Sequence, residues 1–480
     1  MTDLCDLPAR ELRRRIGARR LSPVELLESC IARIEAVDGI LNAIPIRAFD
    51  QARAAAGRAE RQVRAGEPLG PLHGLPVGIK DLNRTAGIRT TFGSPIYADT
   101  VPAGDDDFVA RLKAAGSIVA GKTNTTEFGA GSNTTNAVFG PTRNPFDTAL
   151  TSGGSSGGSA VAVATGMLPL CTGNDTGGSL RVPAGFCGVT SIRPSQGVVP
   201  YERRQFPFTP FSVQGPMART VDDLILLFSV MAQPRGIDPL SFAVDHAELT
   251  REVDPSTLKV AVSPDLGFAP AGQRVRAAFA EKLAVFADAF AVCGEDAPDL
   301  ASAPRVNWIL RGVEYVGRHR RHYEEHRALL GPLVVHNYEE GLKVTVDDVI
   351  WAKTEQGALH RRVEAFFDRW DVLICPVASV PPFPVEQLYP ESVDGEAQET
   401  YVRWAGLTNG LSVAGTPVVT LPCGRDGGGL PFGIQVVGRR GSDTRLLTVA
   451  AAIERLLAAD PRTARPLPDL AALVSTVRRP

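Results

Sequence analysis

The chain has 480 residues, 44% hydrophobic and 22% charged, which is the balance of an ordinary soluble globular protein. Lys plus Arg number 51 against 53 for Asp plus Glu, and a net charge of −2 gives no electrostatic basis for a nucleic-acid or anionic-membrane partner. The seven cysteines (Cys5, Cys30, Cys171, Cys187, Cys293, Cys375 and Cys423) are scattered, odd in number and never spaced as CxxC, which implies no disulfide frame or zinc site and points to reduced thiols.

The N-terminus MTDLCDLPARELRRRIGARR has no apolar segment of the secretory kind. The longest apolar runs, such as residues 224–232, fall short of the roughly 20 residues a membrane span needs. A cytoplasmic protein is expected.

Residues 22–38 open on Ser22-Pro23-Val24-Glu25, a capping box with proline at the first helical position. Leu27, Cys30, Ile31 and Ile34 then recur at helical spacing. A second helix, about 47–65, is rich in Ala and Arg and reads as a surface element. Residues 71–81 (PLHGLPVGIKD) read as a short strand ending in Lys80. Position alone leaves Lys80 either a solvated strand end or a functional group.

Asp105, Asp106 and Asp107 precede Phe108, Val109, Leu112 and Ala115, so three acids sit where a helix dipole favours them. Gly116 ends that helix, and residues 117–120 look like a buried strand. Residues 116–123, from Gly116 to Thr123, match the phosphate-loop pattern GxxxxGK[ST] letter for letter, which raises nucleotide binding as another class of function. In a phosphate loop the four variable residues form the turn between a strand and a following helix. Here they are the strand itself, a helix precedes them, and the polar loop 124–131 follows. The nucleotide reading is therefore rejected.

Residues 151–181 read TSGGSSGGSAVAVATGMLPLCTGNDTGGSLR. Two small-residue turns, 153–159 and 175–179, flank an apolar segment. Glycines beside serines let the backbone take positive φ and approach a substrate closely. The apolar segment between the turns argues against a flexible linker. Beyond it, 191–194 and 197–200 suggest a turn and a short strand, and 201–211 (YERRQFPFTPF) is an aromatic loop. Thr220 caps an apolar helix to about 232, and 234–256 wind over the surface. Strands are expected at 259–263, 371–376, 416–421 and 432–437. Helices are expected at 274–290 and 307–330, and Ser442-Asp443 introduces a last one. This alternation implies one α/β sheet covered by helices on both faces. No internal repeat or composition break divides the chain.

A serine hydroxyl is a poor nucleophile until a base takes its proton. The elbow pattern GxSxG fits twice, centred on Ser155 and on Ser156, but an elbow hydrolase needs an acid and then a histidine downstream. The last histidine is His360, and His319, His322 and His326 read as a polar helix face. Ser179 is the better nucleophile. It follows Thr176-Gly177-Gly178 at what reads as a helix start, where successive backbone N–H groups can converge on an oxyanion. With no well-placed histidine, the natural base is a lysine whose pKa is lowered by desolvation.

GGSSGGSAVAVATG followed by GNDTGGSLRVPAGFCG resembles the signature of the amidase signature family, the Ser–cisSer–Lys amidohydrolases. LPVGIKD ending near Lys80, GKTN at 121–124, GTP at 415–417, LPCG at 421–424 and GIQVVG at 433–438 fit as well, so the resemblance covers about residues 5–460. It implies a single domain over 1–480 with a central mixed sheet. An N-terminal helical segment spans about 1–65, a catalytic core about 70–232, a variable substrate-side region about 233–410, and C-terminal strands and a helix about 411–460.

It further implies Ser179 as the acylated nucleophile, Ser155 on a cis peptide as proton relay and Lys80 as the neutral base. The amides of Thr176, Gly177, Gly178 and Ser179 would form the oxyanion hole. No metal or cofactor is implied. The partners would be a small amide and water, with a homodimer also allowed. Many relatives carry Thr where this chain has Asn174, a polar-for-polar exchange read as leaving the triad alone. Val182 follows Arg181 where glutamine-dependent amidotransferase A-type subunits typically carry Gln, which disfavours that alternative. The substrate is expected to be a small to medium organic amide with an apolar or aromatic part, an aryl amide or carbamate (urethane) among the candidates. Gly129, in the loop 127–131, is expected on the pocket wall, and Phe206, Phe208 and Phe211 at the entrance.

Overall fold

Alternation along the strands places apolar side chains on two opposite faces of one sheet. In one strand Val372 and Ile374 join the largest hydrophobic core while Leu373 and Cys375 join a second, and in a neighbouring strand Val260 and Val262 part from Ala261 in the same way. A strand buried on both faces is what an α/β architecture demands.

The computed structural model describes residues 3–209, 211–398 and 400–477, so Pro210 of the aromatic loop lies outside the described residues. Thirteen strands are present among them: β1 (Ile46–Arg47), β2 (Pro76–Lys80), β3 (Ile118–Thr123), β4 (Leu170–Asp175), β5 (Thr190–Arg193), β6 (Val213–Ala218), β7 (Lys259–Val262), β8 (Val292–Glu295), β9 (Val372–Pro376), β10 (Ser392–Val393), β11 (Glu396–Ala397), β12 (Val418–Arg425) and β13 (Pro431–Val437). Eleven form one mixed sheet in the order β1-β3-β2-β4-β6-β5-β12-β13-β9-β7-β8, and β10 pairs with β11 as a separate hairpin. Parallel pairs β2/β3 and β2/β4 lie at one end and β9/β7 and β7/β8 at the other, with an antiparallel run between them.

The expected α/β sheet is present, with two local differences. Residues 197–200, read as a strand, are buried but stand outside the sheet, with a local bridge between Gln196 and Val199. The strand runs instead through Thr190–Arg193, ended by Pro194, which has no N–H to donate. β6, which contains Gly215 and Pro216, is not among the strands expected from the sequence. It is nevertheless a fully buried central strand, with Pro216 opposite Thr172 of β4.

The phosphate-loop match is settled by β3. Ile118–Thr123 is one buried strand, and Lys122 Nζ points inward to donate to the Asn83 carbonyl and to Thr90 Oγ1 (2.9 Å), 3.7 Å from Asp81. Its ammonium is spent on protein groups. Burial, opposed by Asp81, pulls it down to about 8.

The fold gathers the signature at one end of β2 and β4. Lys80 ends β2, and Asn174 and Asp175 end β4. Ser155 lies just before the buried helix Gly157–Ala164, and Ser179 just before helix Arg181–Cys187.

Candidate active site

Lys80 is fully buried at the end of its strand. Its Nζ lies 2.7 Å from Ser155 Oγ, 2.8 Å from Ser156 Oγ and 2.5 Å from Asn174 Oδ1. Burial holds its pKa well below the ordinary lysine range, against the opposing charge of Asp175. The Gly154–Ser155 peptide is cis.

In the first turn only Gly153 takes a positive φ. The other glycines serve close approach: a Cβ on Gly158 would lie 2.3 Å from the Asn124 amide nitrogen. In the second turn Gly178 has φ +133° and presses against Thr408, whose Oγ1 donates to the Gly177 carbonyl at 2.7 Å.

Asp175 organises that second turn, and sequence reasoning assigned it no role. Its Oδ1 accepts from the Gly178 amide (2.8 Å), Arg181 Nη2 (3.0 Å) and Arg193 Nη1 (3.1 Å); its Oδ2 accepts from the Leu180 amide (3.1 Å) and Arg181 Nε (3.0 Å). Burial by itself would raise the carboxyl, but Arg181 and Arg193 hold it well below the usual range. Arg181 also reaches the Thr408 carbonyl (3.0 Å), Gln435 Oε1 (2.9 Å) and Ser412 Oγ (2.6 Å), tying the turn to helix Gly406–Ala414 and to β13. The only signal the sequence offered was an acid six residues before Arg181; Arg193, 18 residues on, is brought to it by the sheet.

The Gly178 amide is therefore taken by Asp175, which removes it from the expected oxyanion hole. The amides of Thr176, Gly177 and Ser179 make no hydrogen bond among the described residues, and neither does Ser179 Oγ. Gly129 donates its amide to the Thr126 carbonyl (3.1 Å). It stands beside Ser155, where a Cβ would come within 3.6 Å of Ser155 Oγ.

Asn174 corrects one expectation. It does not leave the triad alone, because its side-chain oxygen is a direct acceptor from Lys80.

Ser155 and Ser179 line one narrow cavity of about 30 Å³ together with Phe128, Gly129, Asn174, Thr176, Ser212 and four side chains of helix Ala303–His326: Arg311, Glu314, Tyr315 and Arg318. A wider hollow of about 410 Å³ adjoins it, sharing Phe128, Asn174 and Arg318, and is walled by Phe92, Tyr97, His319 and His322. His322 stacks on Phe128 with centroids 5.1 Å apart and accepts or donates a 2.7 Å hydrogen bond with the Tyr97 hydroxyl. A surface groove of about 790 Å³ along helix Pro23–Leu41 contains none of the residues singled out in the sequence.

The expected entrance is corrected at Phe211 and Phe208. Phe211 is core, 1% exposed, and Phe208 is 76% exposed, on neither cavity wall. Phe206 packs on Gly317, where a Cβ would lie 2.7 Å from its Cζ. The loop instead lends Tyr201, Arg203 and Gln205 to the wider hollow. The three histidines that read as a polar face divide: His319 and His322 line that hollow, while His326 pairs with exposed Glu325.

The Amidase family model matches residues 25–447. The chain belongs to the amidase signature family. An acylamidase of Rhodococcus erythropolis is 34% identical over 457 residues, spanning 93% of this chain and 95% of that protein. The A-type subunit of the glutamyl-tRNA(Gln) amidotransferase of Thermus thermophilus is 32% identical over 482 residues, 94% of this chain and 97% of that one. Among solved structures, a bacterial aryl acylamidase of the same family superposes with a TM-score of 0.86 at 27% identity, covering 99% of each chain. The enzyme is accordingly an amidohydrolase acting on carbon–nitrogen bonds of non-peptide amides.

Proposed function

We propose that the enzyme cleaves aryl amides, or aryl carbamates, through an acyl-enzyme on Ser179, with Ser155 as proton relay and Lys80 as base. The observation that carries this reading is the hydrogen bonding of Lys80. A neutral amine has two protons to give and one lone pair. Asn174 Oδ1 can only accept, so it takes one proton. Ser156 Oγ donates its own proton to the Asn174 carbonyl at 3.4 Å and so accepts the second. The lone pair is left facing Ser155 Oγ–H at 2.7 Å. Ser155 passes its proton to Lys80 as it takes one from Ser179, and the attack on the amide carbonyl makes the Ser179 ester.

The free amides of Thr176, Gly177 and Ser179 receive the developing oxyanion, supported by the surplus positive charge of Arg181 and Arg193 over Asp175. The proton then returns through Ser155 to the leaving amine, and water, deprotonated along the same path, hydrolyses the ester. The aromatic walls of the wider hollow suit a planar aryl group, in keeping with the acylamidase and aryl acylamidase relatives.

A serine-directed fluorophosphonate tests the assignment. Peptide mass spectrometry is expected to place the adduct on Ser179, and Ser179→Ala is expected to abolish both adduct and anilide turnover. An adduct on Ser155 or Ser156, with a histidine substitution as damaging as Lys80→Ala, overturns it in favour of an elbow hydrolase.

A further inference from the structure

Arg311, Glu314, Tyr315 and Arg318 fall at i, i+3, i+4 and i+7 on helix Ala303–His326, so they form one stripe, and that stripe faces Ser155 and Ser179 across the narrow cavity. A charged stripe on a helix ordinarily faces water. This one is turned inward, where each charge loses hydration and must find a partner.

Elsewhere the chain supplies those partners itself. The buried guanidiniums of Arg181 and Arg193 pair with Asp175 at 3.0 and 3.1 Å, and that of Arg204 pairs with Asp238 at 2.8 Å. The cavity arginines are treated differently. Among the described residues the Arg311 guanidinium hydrogen-bonds to neutral groups alone: Nε donates to Asn337 Oδ1 (2.8 Å), Nη2 donates to the hydroxyls of Tyr315 (3.0 Å) and Tyr401, and the guanidinium lies 4.7 and 5.4 Å from those two ring centroids. This cradle fixes the guanidinium in place without neutralising it. Arg318, at the junction of the two hollows, makes no hydrogen bond or ion pair among the described residues.

The one acid on the stripe, Glu314, is 8% exposed and makes no ion pair with either arginine within 4 Å. Its burial raises the carboxyl, with Arg318 and Arg311 opposing. Two guanidiniums against one such carboxyl leave the wall with positive charge to spare.

We propose that the substrate of this enzyme is an amide that carries a carboxylate, and that Arg311 and Arg318 together bind it beside the nucleophile. Arg311 is the fixed, pre-oriented donor, and Arg318 closes from the mouth shared with the wider hollow. A planar guanidinium matches a carboxylate through paired N–H···O bonds, which a lysine cannot reproduce. The proposal deepens the acyl-enzyme reading above and rests on it.

The test compares anilides of similar acyl length that differ chiefly in charge: N-phenylsuccinamate, N-phenylbutyramide and 4-amino-N-phenylbutyramide, with 4-butyramidobenzoate carrying the carboxylate on the amine side. Release of the arylamine gives kcat/KM, and fluorophosphonate labelling of Ser179 is measured in parallel. A carboxylate in one of the two positions is expected to raise kcat/KM over the neutral anilide by about ten- to a hundredfold, the range of one charge-assisted hydrogen-bonded pair. Arg318→Gln is expected to bring that ratio close to one. Because Arg311→Gln disturbs Asn337 and Tyr401 as well, Arg311→Lys is the second variant. It keeps the charge but not the fork, and a reduced ratio is expected. Enzyme that labels at Ser179 yet treats charged and neutral anilides alike, or prefers the ammonium compound, overturns this proposal alone. Enzyme that does not label at Ser179 overturns the acyl-enzyme reading and this proposal with it.

Discussion

Two walls of the same cavity are built on opposite plans. The wall from Asp175 to Arg181 is a closed network. Asp175 accepts from five donors, Arg181 reaches three further acceptors on Gly406–Ala414 and β13, and the charged groups are held by one another and by the surrounding protein. The wall contributed by helix Ala303–His326 leaves Glu314 and Arg318 without hydrogen bonds among the described residues. A satisfied buried network specifies one geometry, because every alternative leaves a costly unpaired group. An unsatisfied wall carries no such penalty for change and holds its interactions for whatever enters. The difference separates what fixes the chemistry from what selects the molecule.

The largest expected effect breaks the first wall at its base. In the proposed mechanism Lys80→Ala removes the only proton acceptor of Ser155, and kcat is expected to fall by about 10²–10⁴-fold. The wild-type rate is expected to rise with pH and level off above the folded pKa of Lys80, which burial sets well below the free value of ~10.4. Stability follows the same direction. Between the lowered folded pKa and the ordinary one, the unfolded chain binds a proton that the native protein does not. Stability therefore rises with pH across that window and is lost as pH falls through the folded pKa. Lys80→Met, which keeps the volume without the amine, is expected to flatten this part of the stability–pH curve. A curve unchanged by that substitution contradicts a desolvated, neutral Lys80.

Next comes a matched pair that sets the two walls against each other. Asp175→Asn leaves Arg181 and Arg193 buried with no counter-charge, and a loss of about 3–5 kcal/mol is expected by denaturant unfolding. Glu314→Gln takes away a buried acid that has no ion pair within 4 Å to lose. Its stability is expected to stay within about 0.5 kcal/mol of wild type or to rise. Equal losses in the two variants would remove the distinction between a closed network and an open wall.

How much of this was legible follows the same division. The two glycine–serine turns stood out because small residues around serines on both sides of an apolar segment are an unusual pattern, whereas Lys80, a lysine ending an apolar run, was left open by its position and drew its role only from the family resemblance. The alternation of strands and helices likewise led to the single sheet. Asp175 lay inside the quoted turn but drew no assignment, because its partner Arg193 is brought to it only by the sheet order. Asn174 seemed a neutral exchange, since nothing in its neighbours tells that its side chain turns toward Lys80. The stripe of Arg311, Glu314 and Arg318 has the composition of a solvated helix face. Periodicity tells which residues share a face, not whether that face meets water or a cavity.

The smallest expected effect concerns the aromatic loop, where sequence pattern misled most. Three phenylalanines without a helical or strand period looked like a substrate entrance. Phe211 instead sits in the second core, and its carbonyl accepts from Arg193 Nη2 at 3.0 Å, so it belongs to the closed wall's support. Phe211→Ala should open a cavity costing about 3–5 kcal/mol, with a matching fall in melting temperature. Phe208, at 76% exposure, lines neither hollow and joins no core. Phe208→Ala is expected to shift stability by no more than about 0.5 kcal/mol and to leave the ratio of kcat/KM for aryl against short aliphatic amides unchanged. A change in that ratio at constant melting temperature would mean that the loop folds over the hollow during turnover and brings Phe208 onto the substrate. The boundary between the two walls would then extend to the 201–211 loop.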